Sequence, residues 1–194
     1  WNSYQFGRVG LFNDNIRDSI KGGTFNPYDK GFVSGNRNAA STLRRGIAGS
    51  VPHYQINDAK EACWAFEPTQ AVNYCEAHDN NTLWDKLCIS AKNDSEDVRI
   101  KMDKLAAAIV ILSQGIPFIQ LGQDFLRSKP RILKEGEEPN DVNIYSHDSY
   151  NAPDYTNSIK WNRKLEYKEV FEYYKALIRL RKGSPLFRMN TKED

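Results

Sequence analysis

The 194-residue sequence is 40% hydrophobic, 12% aromatic and 27% charged, too apolar for a disordered chain and long enough for one domain with a sizeable core. Its 27 lysines and arginines are interspersed with 25 aspartates and glutamates, so no basic stripe points to nucleic acid. No apolar run reaches transmembrane length, which argues against a membrane partner.

The three cysteines, Cys63, Cys75 and Cys88, lack metal-type spacing and read as buried or free thiols rather than a disulfide framework. The opening WNSYQFGRVG has neither a charged leader nor an apolar signal core. A fragment would lack its signal in any case, so cytoplasmic and secreted locations both stay open.

In chain order, Arg8 to Phe12 reads as a short parallel-sheet strand running into Asn13 and Asp14, either of which can cap a helix over Asp14 to Lys21. Ile16 and Ile20 give that helix an apolar side, and Gly22-Gly23 stops it. Arg17 and Asp18 read as capping and ion-pairing residues. Thr24 to Asn36 is an ordered loop. A second helix is predicted from about Asn38 to Ala48, carrying Leu43 and Ile47, with Arg44 and Arg45 on the wet face and Gly49 at its end. Ala59 to Ala65 suits one or two helical turns before Pro68 restarts an extended run, and His53 reads as structural.

Val72 to Ala77 is predicted as a buried strand. Four polar residues follow, His78, Asp79, Asn80 and Asn81, and then an amphipathic helix opens at Thr82 with Leu83, Trp84 and Leu87 at helical spacing. A carboxylate and an imidazole at the C-terminal end of a strand stand where α/β enzymes place catalytic groups. The same letters also suit a polar turn with a helix cap. Asn93 to Glu96 caps the clearest helix, on which Val98, Met102, Leu105, Ile109 and Leu112 form the expected apolar stripe before Gly115 and Pro117. Pro117 to Leu121 is a short buried strand ending at Gly122, Gln123 and Asp124, which either border a site or are structural. Arg127 to Glu138 reads as a solvated charged loop and His147 to Asn157 as a turn-rich segment. The last helix, Tyr167 to Lys182, carries Val170, Tyr173 or Tyr174, Leu177 and Leu180, and is closed by Gly183 and Pro185.

Strands alternating with helices, with polar residues after each strand, are the grammar of a (β/α) barrel whose site lies at the strands' C-terminal ends. The string VNYCEAHDNNTLWDKL (72–87) closely resembles the fourth signature region of the α-amylase family of glycoside hydrolases, in the HDN-x-TLWDK form of type I pullulanases. FNDNIRD (12–18) resembles that family's sixth barrel strand, GIPFIQLGQDF (115–125) its eighth-strand signature, and HDSYNAPDYTN (147–157) the following loop that reaches sugar-binding subsites. The resemblance runs from about Tyr4 to about Met189. It implies an α/β fold that is a partial (β/α)8 TIM-type barrel, units six to eight, with flanking helices. Residues 1–189 would be the C-terminal portion of a glycoside hydrolase catalytic barrel and 190–194 the start of a linker to a further domain. A full barrel needs eight units and roughly 250 residues.

The same resemblance implies the chemistry. Retaining hydrolysis needs a nucleophile and a proton donor, which the family takes from its fourth and fifth strands, absent from this sequence. Asp79 matches the third carboxylate, a transition-state stabiliser that grips sugar hydroxyls, and His78 matches its hydrogen-bonding neighbour. Asn80, Tyr150, Asn151 and Asp154 are implied as further substrate-binding residues. Cys75, Glu76 and Ala77 depart from the motif without touching the His-Asp pair. The implied substrate is an α-glucan, cleaved at α-1,6 branches with retention, and the segment alone is expected to be inactive. Isoamylase or amylase action is the nearest alternative. A non-catalytic glucan-binding module is a second class, but Trp64 and Trp84 sit in amphipathic segments where core packing is the ordinary role. No cofactor is implied, and calcium in a longer parent is left open. The implied partners are an α-glucan and either the missing N-terminal half of the barrel or a second copy, because the outer strands would be open edges.

Overall fold

Short parallel strands set the geometry of the chain, and buried amides lock them together. The computed structural model describes residues 2–56 and 58–191. Strands β1 (Leu11–Phe12), β2 (Ala71–Asn73) and β3 (Ile116–Pro117) lie parallel in sequential order. Leu11 pairs with Ala71, and Val72 with Ile116. The sequence leads one to expect longer strands. Beyond the paired residues the ladder continues only through single bonds, Asn13 N to Val72 O and Phe118 N to Asn73 O, after which the backbone turns to side chains for partners.

A chain of amides runs across the strands. The Asn13 amide donates to Ser50 Oγ (3.0 Å) and Asn73 Oδ1 (2.9 Å), and the Asn73 amide donates to the Gln114 carbonyl (2.6 Å). Asn13 and Asn73 are fully buried, where only satisfied polar groups are tolerated. Ala71 and Asn73 point to the covered side of the sheet, whereas Phe12 and Ile116 are exposed and Val72 is half-buried. One face of this parallel sheet is thus open and apolar.

Helices α1 (Asp14–Lys21), α2 (Ala40–Ile47), α3 (Leu83–Ser90) and α4 (Glu96–Leu112) build the first core. Asn13 caps α1 by accepting from Ile16 N, and Thr82 and Ser95 cap α3 and α4 in the same way. A Cβ on Gly31 would lie 2.2 Å from Ile20 O, so only glycine lets that loop close on α1. Ile16, Ile20, Leu43, Leu83, Leu87 and Val110 meet in one cluster. After two single-turn helices, α5 (Asp154–Asn157) and α6 (Arg163–Glu166), α7 (Lys168–Gly183) forms a second cluster. There Val170, Tyr174 and Leu177 pack on Trp84, Ala107 and Ile111. Trp64 and Trp84 are buried, as core packing requires. All three cysteines are free. Among the described residues no helix is long and apolar enough to cross a membrane.

Three expectations are corrected. On α4 the deepest residues are Ile100, Asp103, Ala106, Ala107, Val110 and Ile111, while Val98 is 36% and Leu105 41% exposed. The helix is wedged between two clusters and buries two sides, so a single stripe does not describe it. On α7, Leu180 is exposed and Arg181 takes the inward place. Its guanidinium donates to the carbonyls of Ile111 (2.8 Å), Ser113 (2.7 Å) and Gly115 (2.6 Å), satisfying acceptors that the end of α4 leaves open. Arg45 is buried rather than wet, because the following loop folds back and offers the Asp58 carbonyl to its Nε (2.6 Å).

The two sides of α4 should therefore respond differently to truncation. Ile111→Ala is expected to cost about 2–5 kcal/mol and Leu105→Ala less than ~1 kcal/mol in urea unfolding. Equal losses would contradict the packing described.

Candidate functional site

Beyond the C-terminal ends of β1 and β2 lies a cleft of about 460 Å³. Its floor is aromatic: Phe12 meets Tyr74 edge-on (centroids 4.9 Å apart) and Phe118 (5.4 Å). Its polar wall comes from the first turn of α1. The Tyr74 hydroxyl donates to Asp14 Oδ1 (2.5 Å) and accepts from Arg17 Nη1 (2.8 Å), and Arg17 also pairs with Asp14 (2.9 Å) and Asp18 (2.6 Å). Burial opposes the Arg17 charge, but the Asp18 pair outweighs it and holds the guanidinium above its usual range. Burial, reinforced by the Asp14 bond, pushes the Tyr74 phenol up to about 12. Arg17 thus forms the ion pairs expected of it and also lines the cleft.

His78, Asp79 and Asn80 occupy the cleft rim. His78 Nε2 lies 3.5 Å from Asp79 Oδ1, with side chains 85% and 72% exposed. Asn80 adopts a left-handed φ of +61°, a conformation asparagine tolerates better than most residues. The backbone beneath this exposed pair is tightly held. With its amide oriented to satisfy every partner, Gln120 donates to Glu76 Oε1 (3.2 Å) and Ala77 O (2.7 Å) and accepts from His78 N (3.2 Å) and Arg127 Nη1 (3.1 Å).

Under the rim, a buried polar layer joins the strands to the helices. Glu76 accepts from Leu83 N at the start of α3. Burial pushes its carboxyl up to about 7 against the pull of that bond and of Lys21. Burial likewise lowers the Lys21 ammonium. Gln123 donates to Cys75 Sγ (3.2 Å) and Tyr174 OH (3.2 Å), and Tyr174 donates to Asp103 Oδ1 (3.0 Å). Asn13 and Gln123 are therefore structural and face inward. Polar residues just after a strand do not reveal which of them turn out. Asp124 is half-buried, its carboxyl raised by burial, and is not among the residues lining this cleft.

The TLWDK letters resolve into scaffolding. Thr82 caps, Leu83 and Trp84 fill the core, and fully buried Asp85 accepts from Ser128 Oγ (2.5 Å) and Lys129 N (2.8 Å). Lys86 donates to the carbonyls of Gly23 and Asn26, and burial lowers its ammonium to about 8. Lys129 corrects the reading of residues 127–138 as a solvated loop. It is 0% exposed and donates from Nζ to the His78 carbonyl (3.0 Å) and Ser149 Oγ (3.2 Å).

Tyr150 is 82% exposed, and Asn151 and Asp154 are exposed as well. None of the three lines the cleft. Their loop reaches it through His147, whose Nε2 lies 3.2 Å from Asn80 Nδ2. A second hollow of about 480 Å³ lies within that loop, walled by Tyr145, His147 and Asp148. Neither His78 nor Asp79 lines it, so the candidate chemistry belongs to the first cleft. Among the described residues no three His, Cys, Asp or Glu side chains gather as a metal site. Tyr74, Phe12 and Phe118 escaped sequence reading, because aromatics on strands are ordinarily core.

Fold and cleft together define a parallel α/β chain with an exposed carboxylate–imidazole pair where strands hand over to helices. No family model matches it. It is 38% identical over 186 residues to the pullulanase of Bacillus subtilis, covering 96% of this chain and 23% of that protein. A pullulanase of Klebsiella aerogenes is 26% identical over 92% of this chain. Among solved structures, type I pullulanase from Bacillus subtilis complexed with maltose superposes with TM-score 0.84 at 36% identity, over 100% of this chain and 24% of that one. Pullulanase from Paenibacillus barengoltzii, in complex with maltohexaose and α-cyclodextrin, gives 0.82 at 37% identity over 99% and 27%. The chain belongs by homology with the pullulanases, as a segment spanning about a quarter of the length of such relatives.

The folded chain holds the Glu76 proton more tightly than the unfolded chain, in which the ordinary value is 4.5. This group's contribution to stability is therefore full below about pH 4.5 and lost as pH rises through about 7. Glu76→Gln should flatten the fall in Tm across that window. A Tm slope equal to that of the wild type would contradict the assignment.

Proposed function

We propose that residues 1–189 are the C-terminal portion, units six to eight, of the (β/α)8 catalytic barrel of a debranching glycoside hydrolase. It would cleave α-1,6 bonds of pullulan, glycogen or starch-derived α-glucans with retention. The observation that carries this reading is the His78–Asp79 pair on the rim of the cleft, in a chain homologous to pullulanases over 96% of its length. Parallel sheets are normally covered on both faces, so the open apolar face at Val72 and Ile116, below the cleft, favours a further layer of barrel. Residues 190–194 fit the start of a linker, although 192–194 lie outside the described residues.

In this reading Asp79 accepts hydrogen bonds from sugar hydroxyls at the cleavage point, and these strengthen as the ring gains oxocarbenium character. His78 and Asn80 flank it, and Phe12, Tyr74 and Phe118 offer a sugar ring an apolar floor. Tyr150, Asn151 and Asp154 act from their loop on more distant sugar units. Nucleophile and proton donor come from the remainder of the longer protein, so this segment alone is inactive and needs its missing half. The α-glucan assignment draws support from relatives solved with maltose and maltohexaose.

In the intact protein carrying this chain, Asp79→Asn should lower kcat on pullulan by at least ~30-fold, about 2 kcal/mol, and raise KM far less. Turnover within about threefold of wild type would remove Asp79 from that role. The 194-residue chain alone should release no reducing ends from pullulan. Activity appearing only after a separately expressed upstream half is added supports the division of labour, and activity of the chain alone overturns it.

A further inference from the structure

We propose that Lys129 is a positioning residue for Asp79, tying the loop that carries Tyr150 and Asn151 to the turn that carries His78 and Asp79. This rests on the reading of Asp79 as a sugar contact.

The geometry singles out this side chain. Lys129 is 0% exposed, yet among the described residues its ammonium makes no ion pair within salt-bridge distance and donates to the His78 carbonyl (3.0 Å) and Ser149 Oγ (3.2 Å). Its own backbone is anchored on two further segments. Its N–H donates to Asp85 Oδ2 (2.8 Å) on α3, and its carbonyl accepts from Ser146 N (2.8 Å). One residue thus joins α3, the 146–149 stretch and the His78 peptide.

Burying an ammonium is costly unless its partners are good. A methionine would fill similar space without that cost, so packing alone does not account for a lysine here. The peptide it grips is the one linking His78 to Asp79. Gln120 holds the same turn through Ala77 O and His78 N, and Asn80 leaves it in a left-handed conformation. Lys129 adds the restraint that Gln120 cannot reach, on the His78 carbonyl. Ser149, the other partner, directly precedes Tyr150, so the sugar-facing loop and the turn share one ammonium.

The test uses the intact protein carrying this chain, well below its Tm, with Lys129→Met, Ser149→Ala and the double variant. Lys129→Met should lower kcat on pullulan about tenfold or more while KM stays within about threefold. Ser149→Ala should lower kcat about threefold without lowering Tm, and the double variant should match Lys129→Met alone, as a shared path requires. Amide exchange should quicken at His78, Asp79 and Asn80 and stay unchanged in α4. An unchanged kcat in folded Lys129→Met, additive losses, or faster exchange throughout the chain would each overturn the proposal. Should Lys129→Met not fold, an unchanged kcat in Ser149→Ala overturns it alone. Should the wild type leave pullulan untouched, the functional reading fails, and exchange confined to the turn or not still decides whether Lys129 sets it.

Discussion

Everything around the cleft depends on how the backbone between Cys75 and Thr82 satisfies its polar groups once the sheet ladder has stopped. A buried N–H or C=O without a partner costs about 1–3 kcal/mol, and this turn lies where no neighbouring strand can supply one. Side chains from distant segments supply them instead. Gln120 serves Ala77 and His78, and Lys129 serves the His78 carbonyl. The turn is thereby held from below while the His78 and Asp79 side chains stay in solvent.

The same region is dense in buried titratable groups. Lys21, Glu76, Asp85, Lys86, Asp103 and Lys129 are each at most 2% exposed. Such groups are a poor source of stability, since desolvation offsets much of what pairing returns. Two hydrophobic clusters, meeting along α4, carry the folding energy. The buried ions act instead as pins at set positions: Asp85 on the 128–129 stretch, Lys86 on the 23–26 loop, Lys129 on the turn. Exposed His78 and Asp79 sit on a frame held by these buried contacts.

Much of this frame was legible in the sequence. Asn13 was one of two candidate caps for the first helix, Thr82 marked the opening of another, and glycine stops marked the helix ends. Parallel strands in sequential order followed from the alternation of strand and helix, and His78–Asp79 stood out as polar letters at the end of an apolar run. Other features were hidden for physical reasons. Gln123 looks like a site residue until its amide is found bonded to Cys75 and Tyr174. Lys129 and Arg45 look like surface charge, because a run of letters cannot show that a loop folds back over them. The two-sided burial of α4 escaped a one-stripe reading because its Ala106–Ala108 stretch lets neighbours approach from both directions.

The most direct measurement is a structure of the intact protein with maltohexaose bound. The account predicts sugar hydroxyls at about 3 Å, hydrogen-bond distance, from the Asp79 carboxylate. A ring should lie over Phe12, Tyr74 and Phe118, with the turn at His78 unmoved. Sugar seated only in the hollow beside Tyr145, with Asp79 touching none of it, would contradict the assignment.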